Sequence, residues 1–186
     1  STGMHPVSIY GAAKLASESF ISSFVENYKI NAWVYRFGNV VGEKLTHGVI
    51  FDFIRKLKQN TDDLVVLGNG MQTKTYIDVE DCIKGMLCGF EKSPAGKNHA
   101  QKFQVFNLST QGTTSVRQIA EETVAVVTNG KTKIRYGTAP IGWVGDVPKT
   151  ELAVEKMLAL GWSPNRDSNT AVSQAIRTHY EWSSNL

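Results

Sequence analysis

Apolar residues recur every three or four positions in several stretches of this chain, which is the spacing of helices that pack one face against a core. The first stretch forms one apolar stripe, made of Ala13, Ala16, Phe20, Phe24 and Tyr28. It predicts a helix that reaches residue 28 and extends back toward Tyr10. Capping and stop residues add predicted helices over about residues 47–59, 78–90, 113–128, 150–161 and 170–183. Asp78 and Thr150 are the expected N-caps, and Asn129-Gly130 and Gly161 the expected stops.

Runs rich in β-branched and aromatic residues lie between these helices and predict strands. They cover about residues 30–41, 64–67, 74–77, 103–109 and 133–136. The first of them follows the first helix directly, as in an α/β unit. Residues 93–102 and 139–147 carry polar residues, proline and glycine and are predicted to be loops. The pattern therefore predicts an α/β fold.

Composition narrows the classes of function. The 186 residues are 41% hydrophobic and 20% charged, as in a globular protein with a sizeable core. The net charge of +3 is mild and no basic stripe with interleaved aromatic residues occurs, which argues against a nucleic-acid partner. Cys82 and Cys88 form no CxxC pair, so free thiols and no metal site are expected. No apolar run approaches the roughly 20 residues of a membrane span, and we expect a cytoplasmic protein with no membrane partner.

The stretch Tyr10-Gly11-Ala12-Ala13-Lys14 opens the first predicted helix and carries the candidate chemistry. If the helix includes Tyr10, then Tyr10 and Lys14 lie one turn apart, with roughly 5–6 Å between their Cβ atoms. An ammonium at that distance stabilises a phenolate, and such a phenol can exchange a proton with a substrate hydroxyl. The alternative is a helix in which Tyr10 packs and Lys14 is only solvated, and spacing alone does not separate the two.

An ordered series of motifs favours the catalytic interpretation. It runs Tyr10-Gly11-Ala12-Ala13-Lys14, Tyr35-Arg36-Phe37-Gly38-Asn39-Val40-Val41-Gly42, Gly48-Val49-Ile50, Leu67-Gly68-Asn69-Gly70-Met71-Gln72-Thr73, Tyr76-Ile77-Asp78-Val79-Glu80-Asp81, Gly145-Asp146-Val147 and Leu160-Gly161-Trp162-Ser163-Pro164. The series covers nearly the whole chain and resembles the NAD-dependent nucleotide-sugar epimerases and dehydratases of the extended short-chain dehydrogenase/reductase family.

The resemblance implies the C-terminal part of a Rossmann-like doubly wound sheet plus a small α/β substrate-binding domain. In that division, residues 1–45 are a remnant of the NAD-binding domain that carries the Tyr10–Lys14 helix. Residues 46–186 are mainly the substrate-binding domain, with some elements that return to the Rossmann part.

The resemblance also implies roles for individual residues. Tyr10 is the expected acid/base, and Lys14 is expected to stabilise its phenolate and to hydrogen-bond the nicotinamide ribose of NAD. Asn39 matches the family's asparagine near the substrate diphosphate, and Val40 is expected beside the nicotinamide. Both follow a strand, at the end where doubly wound sheets place ligands. A turn role for Asn39, which tolerates left-handed geometry, stays open.

Two positions depart from the family pattern. Where many relatives have arginines that bind phosphate, this chain has Lys74 and Trp143. Lysine supplies a charge without the bidentate fork, and Trp143 is expected to stack on a base or sugar, or to pack its loop. Both are substrate-binding candidates, and Arg135 or Lys149 could supply the missing charge.

Two parts of the family pattern have no match in these residues. The glycine-rich dinucleotide loop and the serine or threonine of the catalytic triad lie upstream of the tyrosine in the family, and neither occurs here. We therefore expect an NAD site that is incomplete within this chain, and a fragment that does not turn over substrate by itself. The strand at residues 30–41 would present an open edge, which favours a homodimer.

The leading hypothesis is a portion of an NAD-dependent nucleotide-sugar 4-epimerase or 4,6-dehydratase, in which hydride moves transiently at the sugar C4. The alternative among enzymes is an NAD(P)-dependent reductase of the same family, acting on another keto or hydroxy substrate. A non-catalytic binding module that keeps the fold is the alternative outside them. The Tyr10–Lys14 pair favours the enzyme, whereas Trp143 and the missing glycine loop favour the module.

Overall fold

A computed structural model describes residues 5–94, 102–140, 142 and 149–185 of the chain. Its helices are α1 (Ile9–Tyr28), α2 (Val49–Gln59), α3 (Val79–Lys92), α4 (Val116–Thr128), α5 (Glu155–Ala159) and α6 (Ser168–Ser184). Its strands are β1 (Ala32–Phe37), β2 (Asn39–Val41), β3 (Asp63–Val66), β4 (Thr73–Lys74), β5 (Tyr76–Asp78), β6 (Phe103–Leu108), β7 (Thr114–Ser115), β8 (Lys133–Tyr136) and β9 (Lys149–Thr150). Most of the two predicted loops, 93–102 and 139–147, lies outside the described residues.

Parallel pairing links strands that are far apart in the sequence. β1 pairs with β6 from Ala32↔Phe103 to Phe37↔Leu108, β2 pairs with β5, and β3 pairs with β8. β4 lies between β7, to which it is antiparallel, and β9, to which it is parallel. The chain thus leaves β1, builds other elements, and returns through α3 to pair beside β1. This mixture of helices and mostly parallel strands confirms the predicted α/β class.

Two clusters of buried side chains form the core. The larger one joins α2, α4 and α6 to β3, and includes Ile50, Phe53, Ile54, Leu57, Leu64, Val66, Ile119, Val124, Ala171, Val172 and Ile176. The smaller one joins α3, α5 and β6, and consists of Ile77, Cys82, Cys88, Phe106, Leu108, Met157 and Trp162. Each fully buried aliphatic side chain stabilises the fold by about 1.5–3 kcal/mol. Helix α3 comes close to this smaller cluster at Gly85, where an added Cβ would lie 2.6 Å from Leu108 Cδ2.

Helix α1 begins at a well-made cap but buries little of its surface. The Ser8 Oγ accepts a hydrogen bond from the Gly11 backbone N at 3.0 Å, which satisfies a donor that every helix start leaves unpaired. The apolar stripe through Phe20, Phe24 and Tyr28 is exposed, and Val25 is the buried residue of the helix. The stripe is therefore not the face that packs on β1.

Three predictions of local structure are wrong for the same reason. The run at residues 74–77 is not one strand, because it is divided between β4 beside β7 and β5 beside β2. The run at residues 30–41 is not one strand, because the chain changes partner at Gly38, where β1 beside β6 gives way to β2 beside β5. Thr150 does not cap a helix, because it lies in β9 and pairs with Lys74, and α5 begins only at Glu155. In all three cases the backbone partner is distant in sequence, and tertiary pairing overrides local propensity.

The other predicted caps and stops are confirmed. The Asp78 side chain accepts a hydrogen bond from the Glu80 backbone N at the start of α3. Asn129, at φ 53°, and Gly161, at φ 78°, end α4 and the α5 turn in the left-handed region.

The expected free thiols are also confirmed. Cys82 and Cys88 are both buried and unbridged, and burial raises the pKa of the Cys82 thiol to about 11. Among the helices that the structure describes, none combines the length and the apolar character that a bilayer crossing requires.

Candidate active site

Tyr10 and Lys14 lie together at the N-terminal end of α1. The Lys14 Nζ is 5.2 Å from the centroid of the Tyr10 ring, so the one-turn spacing does bring the ammonium over this ring. Both side chains are exposed, and Tyr10 keeps 72% of its surface open. The alternative in which Tyr10 packs into a core does not fit this exposure. The pair presents a hydroxyl and an ammonium to whatever occupies this surface.

An ion pair ties α1 to β1 one turn beyond Lys14. The Arg36 Nε donates to Glu18 Oε1 at 2.7 Å, and its Nη2 donates to Oε2 at 2.6 Å. The hydrogen bond from Arg36 and its charge hold the pKa of the Glu18 carboxyl below its usual value. In return, the hydrogen bond to Glu18 raises the pKa of Arg36. This bidentate geometry fixes orientation as well as charge.

The sequence alone did not identify Glu18 as a functional candidate, and it placed Arg36 only within the motif at residues 35–42. Two signals were available. Glu18 continues the spacing of Tyr10 and Lys14 by one more turn, and Arg36 is a charge inside an otherwise apolar strand. A charge in such a strand requires a partner, and the helix before it carries two carboxylates, Glu18 and Glu26.

The ion pair also fixes the position of α1 along the direction of β1. α1 and β1 are joined by residues 29–31 and meet at Glu18 and Arg36, so the two elements run antiparallel away from their turn. At about 1.5 Å per residue, Tyr10 lies about 12 Å beyond Glu18 along the helix. At about 3.3 Å per residue, Val40 lies about 13 Å beyond Arg36 along the strand direction. Continued straight past Phe37, these rises give Tyr10 and β2 about the same height above the α1–β1 turn.

Asn39 and Val40 lie where two strand pairs separate. The Gly38 backbone N donates to the Leu108 carbonyl at 2.8 Å, whereas the Asn39 backbone N donates to the Thr75 carbonyl at 3.0 Å. An added Cβ at Gly38 would lie 3.0 Å from Ser109 Oγ, so the backbone is tightly packed at the point where the two strand pairs separate. A crevice beyond the carboxyl ends of parallel strands is the usual ligand site of such sheets.

The side chains of these two residues differ in what they offer a ligand. The Asn39 Nδ2 donates to the Thr75 carbonyl at 3.1 Å, which fixes the amide. Asn39 has extended backbone in β2 and no positive φ, so the turn interpretation does not hold. Val40 is 37% exposed and presents an apolar surface.

Lys74 lies next to Thr75, the residue that Asn39 contacts. It is half-buried, precedes the Thr75 that binds Asn39, and pairs with Thr114 and Thr150 on the neighbouring strands. Lys74 and Asn39 are thus linked through Thr75, which follows Lys74 and accepts a hydrogen bond from Asn39. Trp143 lies outside the described residues.

The two cations considered as substitutes for the missing arginine differ. Arg135 is held by Asp63 in a bidentate pair, with N–O distances of 2.9 and 2.8 Å, on an exposed part of the β3–β8 pair. Lys149 lies across from Thr73, next to Lys74, and its Nζ is 3.9 Å from Glu151 Oε2. Of the two, Lys149 is the one beside the candidate site.

Comparison with known proteins extends these observations. Residues 1–108 match the NAD dependent epimerase/dehydratase family. The chain is 26% identical over 188 residues to the dTDP-D-glucose 4,6-dehydratase of Homo sapiens, covering 97% of this chain and 51% of that protein. The crystal structure of a UDP-galactose 4-epimerase matches at a TM-score of 0.83 and 32% identity, covering 95% of this chain and 55% of that one.

A third similar protein is the UDP-glucose 4-epimerase of Thermotoga maritima, solved with UDP-glucose. It matches at a TM-score of 0.76 and 25% identity, over 97% of this chain and 55% of that one. The chain spans about half the length of the relatives that it matches. These likenesses confirm the expected Rossmann-like α/β fold, of which this chain is the C-terminal portion.

Proposed function

This chain belongs to the NAD-dependent epimerase/dehydratase family, and we propose that the whole protein is a nucleotide-sugar 4-epimerase or 4,6-dehydratase in which Tyr10 and Lys14 move the proton. The observation that carries the proposal is the Tyr10–Lys14 pair, 5.2 Å from Nζ to ring centroid and open to the surface. A phenolate there would take the proton of a sugar hydroxyl, and the ammonium would stabilise the phenolate.

The residues present fit the nicotinamide-ribose end of NAD. Tyr10 and Lys14 supply two hydrogen-bond donors on one open surface, which suits ribose hydroxyls. Val40 would give the nicotinamide ring an apolar contact. When bound, NAD supplies the acceptor and donor of hydride. The chain's own part is to orient the sugar and to hold the proton at the Tyr10 oxygen.

Asn39 and Lys74 are the proposed contacts of the substrate diphosphate. The amide of Asn39 is fixed by Thr75, and Lys74 lies one residue before Thr75. A buried diphosphate without a facing cation is costly, so at least one positive charge is required beside it. Trp143 stays a prediction as a third substrate-binding residue, which either stacks on the base or sugar or packs its own loop.

Product analysis distinguishes the candidate activities. An epimerase returns a nucleotide-sugar of unchanged mass, a dehydratase returns one that has lost water, and a reductase consumes reduced nicotinamide stoichiometrically. The whole protein should be incubated with UDP- and dTDP-linked hexoses and the products read by mass spectrometry and NMR. Absence of all three products with every nucleotide-linked hexose, while NAD binds, would favour the binding module instead.

Lys74→Ala is expected to raise the KM for a nucleotide-sugar with little change in kcat. Lys74 is proposed to touch the diphosphate equally in the ground and transition states, which is the pattern of uniform binding. Initial rates against nucleotide-linked sugars measure both constants. Lys131→Ala, a lysine beyond the end of α4 and away from the site, is the matched control. A KM that is unaltered for every nucleotide-linked substrate contradicts the diphosphate role.

We also propose that the whole protein is a homodimer. The exposed stripe of Phe20, Phe24 and Tyr28 on α1 supports this, because apolar side chains at helical spacing favour packing against a second helix. Sedimentation equilibrium of the whole protein should give twice the chain mass, and a monomer at micromolar concentration would contradict the proposal. The cytoplasmic location stays an expectation.

A further inference from the structure

Lys14 lies midway between two groups that both attract an ammonium. Tyr10, Lys14 and Glu18 are spaced four residues apart and therefore lie in one row along α1. A carboxylate four residues from a lysine forms an ion pair worth about 0.2–0.5 kcal/mol on a helix surface, weaker when the lysine comes first, as here. A carboxylate is charged at neutral pH, whereas a phenol is largely neutral. Left to itself, Glu18 would compete with Tyr10 for Lys14.

In the structure, Arg36 of strand β1 binds Glu18 and so removes this competition. Both oxygens of Glu18 accept hydrogen bonds from Arg36, at 2.7 and 2.6 Å. The Glu18 side chain is only 18% exposed and Arg36 40%, so solvent screens this pair less than a surface pair. Within the described part of the chain, no ion pair joins Glu18 to Lys14, and the Lys14 Nζ lies over the Tyr10 ring instead.

We propose that Arg36 is a positioning residue that occupies Glu18 and so leaves Lys14 available to Tyr10. The inference rests on the proposed function of the Tyr10–Lys14 pair. Arg36 suits this role because its planar fork fills both carboxylate oxygens at once, which a lysine cannot do. Because Arg36 belongs to β1, the same contact also holds α1 against β1.

The proposal makes an asymmetric prediction for the two partners of one ion pair. Arg36→Met frees the Glu18 carboxylate to take Lys14, and is expected to lower kcat on the order of tenfold at neutral pH, which corresponds to a pH–rate profile displaced by one unit to higher pH. Glu18→Gln breaks the same pair but creates no competing carboxylate, so it should lose far less activity. The double variant Glu18→Gln/Arg36→Met should regain most of the rate that Arg36→Met loses.

The chain contains a matched control pair. Arg135 and Asp63 form another bidentate pair, with N–O distances of 2.9 and 2.8 Å, on the β3–β8 pair. Asp63→Asn and Arg135→Met should change neither kcat nor the pH profile of the whole protein. Arg36→Lys, which keeps the charge but loses the fork, should fall between the native protein and Arg36→Met, and it serves as the test if the methionine variant does not fold.

The outcomes separate this inference from its premise. A purely structural role predicts that Glu18→Gln and Arg36→Met are equally impaired, that the double variant is no better, and that the pH profile is unmoved. Any one of these three findings overturns the proposal. An Arg36→Met rate equal to that of the native protein overturns it as well. If Tyr10→Phe is inactive in the same assay while Arg36→Met is normal, only this inference fails. If Tyr10→Phe is fully active, the proposed function itself fails.

Discussion

Replacing Tyr10 with phenylalanine in the whole protein is expected to lower kcat by roughly 10²–10⁴-fold, the usual contribution of a positioned acid/base group. The substitution removes one oxygen and keeps the ring over which the Lys14 Nζ lies. The proton of the sugar hydroxyl then has no acceptor at this position. Because the ring is 72% exposed, the loss of its hydroxyl leaves no buried group unpaired and should not unfold the helix.

The measurement is steady-state turnover of the nucleotide-sugar, together with NAD affinity by calorimetry. NAD binding should be nearly unchanged, since the cofactor loses one hydroxyl contact. Tyr28→Phe is the matched control, because Tyr28 is on the same helix and is 68% exposed. It should retain full activity. A Tyr10→Phe protein within a few-fold of the native rate would mean that the phenol carries no proton in the reaction.

The features of this site that the sequence predicted correctly depend on residues within one helical turn of each other. Tyr10 and Lys14 are four residues apart, and helix geometry alone sets their relation once Ser8 caps the helix before them. The same applies to Asp78 at the start of α3 and to Asn129 at the end of α4. Caps and one-turn pairs depend on neighbours within one turn, so a linear sequence contains the information that fixes them.

What the sequence did not predict is set by partners far along the chain. The change at Gly38 depends on the carbonyls of Leu108 and Thr75, which approach from different strands. Gly38-Asn39 interrupts the run at residues 30–41, but the sequence does not show that the two halves pair with different strands. Threonine is a residue type that commonly caps helices, yet the backbone of Thr150 pairs with Lys74. The backbone groups of one residue can serve a helix cap or a strand pair, and pairing with a distant strand determines which of the two forms.

The exposed face of α1 is also explained by context beyond the residue pattern. The stripe through Phe20 and Phe24 has the spacing of a buried face, and periodicity alone does not say which neighbour covers it. In the described residues α1 packs on β1 through the opposite side, where Glu18 meets Arg36 and Val25 is buried. A polar pair at the packed face and an apolar stripe outside it fit a helix that packs on two sides.

Asp81→Ala is expected to lower the free energy of unfolding by about 2–3 kcal/mol, because it removes a buried carboxylate that accepts three hydrogen bonds. Asp81 is 1% exposed and accepts three hydrogen bonds. Its Oδ2 accepts from the backbone N of Asn165 at 3.0 Å and of Arg166 at 3.2 Å, and its Oδ1 accepts from Asn165 Nδ2 at 2.7 Å. The carboxylate thereby joins the first turn of α3 to the segment that leads into α6.

Urea denaturation of the purified protein measures the change, with the midpoint and slope fitted separately. Asp81→Asn, which keeps the shape and one amide oxygen, should lie between alanine and the native residue. Glu80→Ala is the control from the adjacent position, since Glu80 is exposed and its backbone rather than its side chain binds Asp78. It should stay within about 0.5 kcal/mol. If Asp81→Ala is as mild as Glu80→Ala, the segment at Asn165 and Arg166 is held by the neighbouring contacts, among them the Arg166–Asp78 ion pair at 3.2 Å.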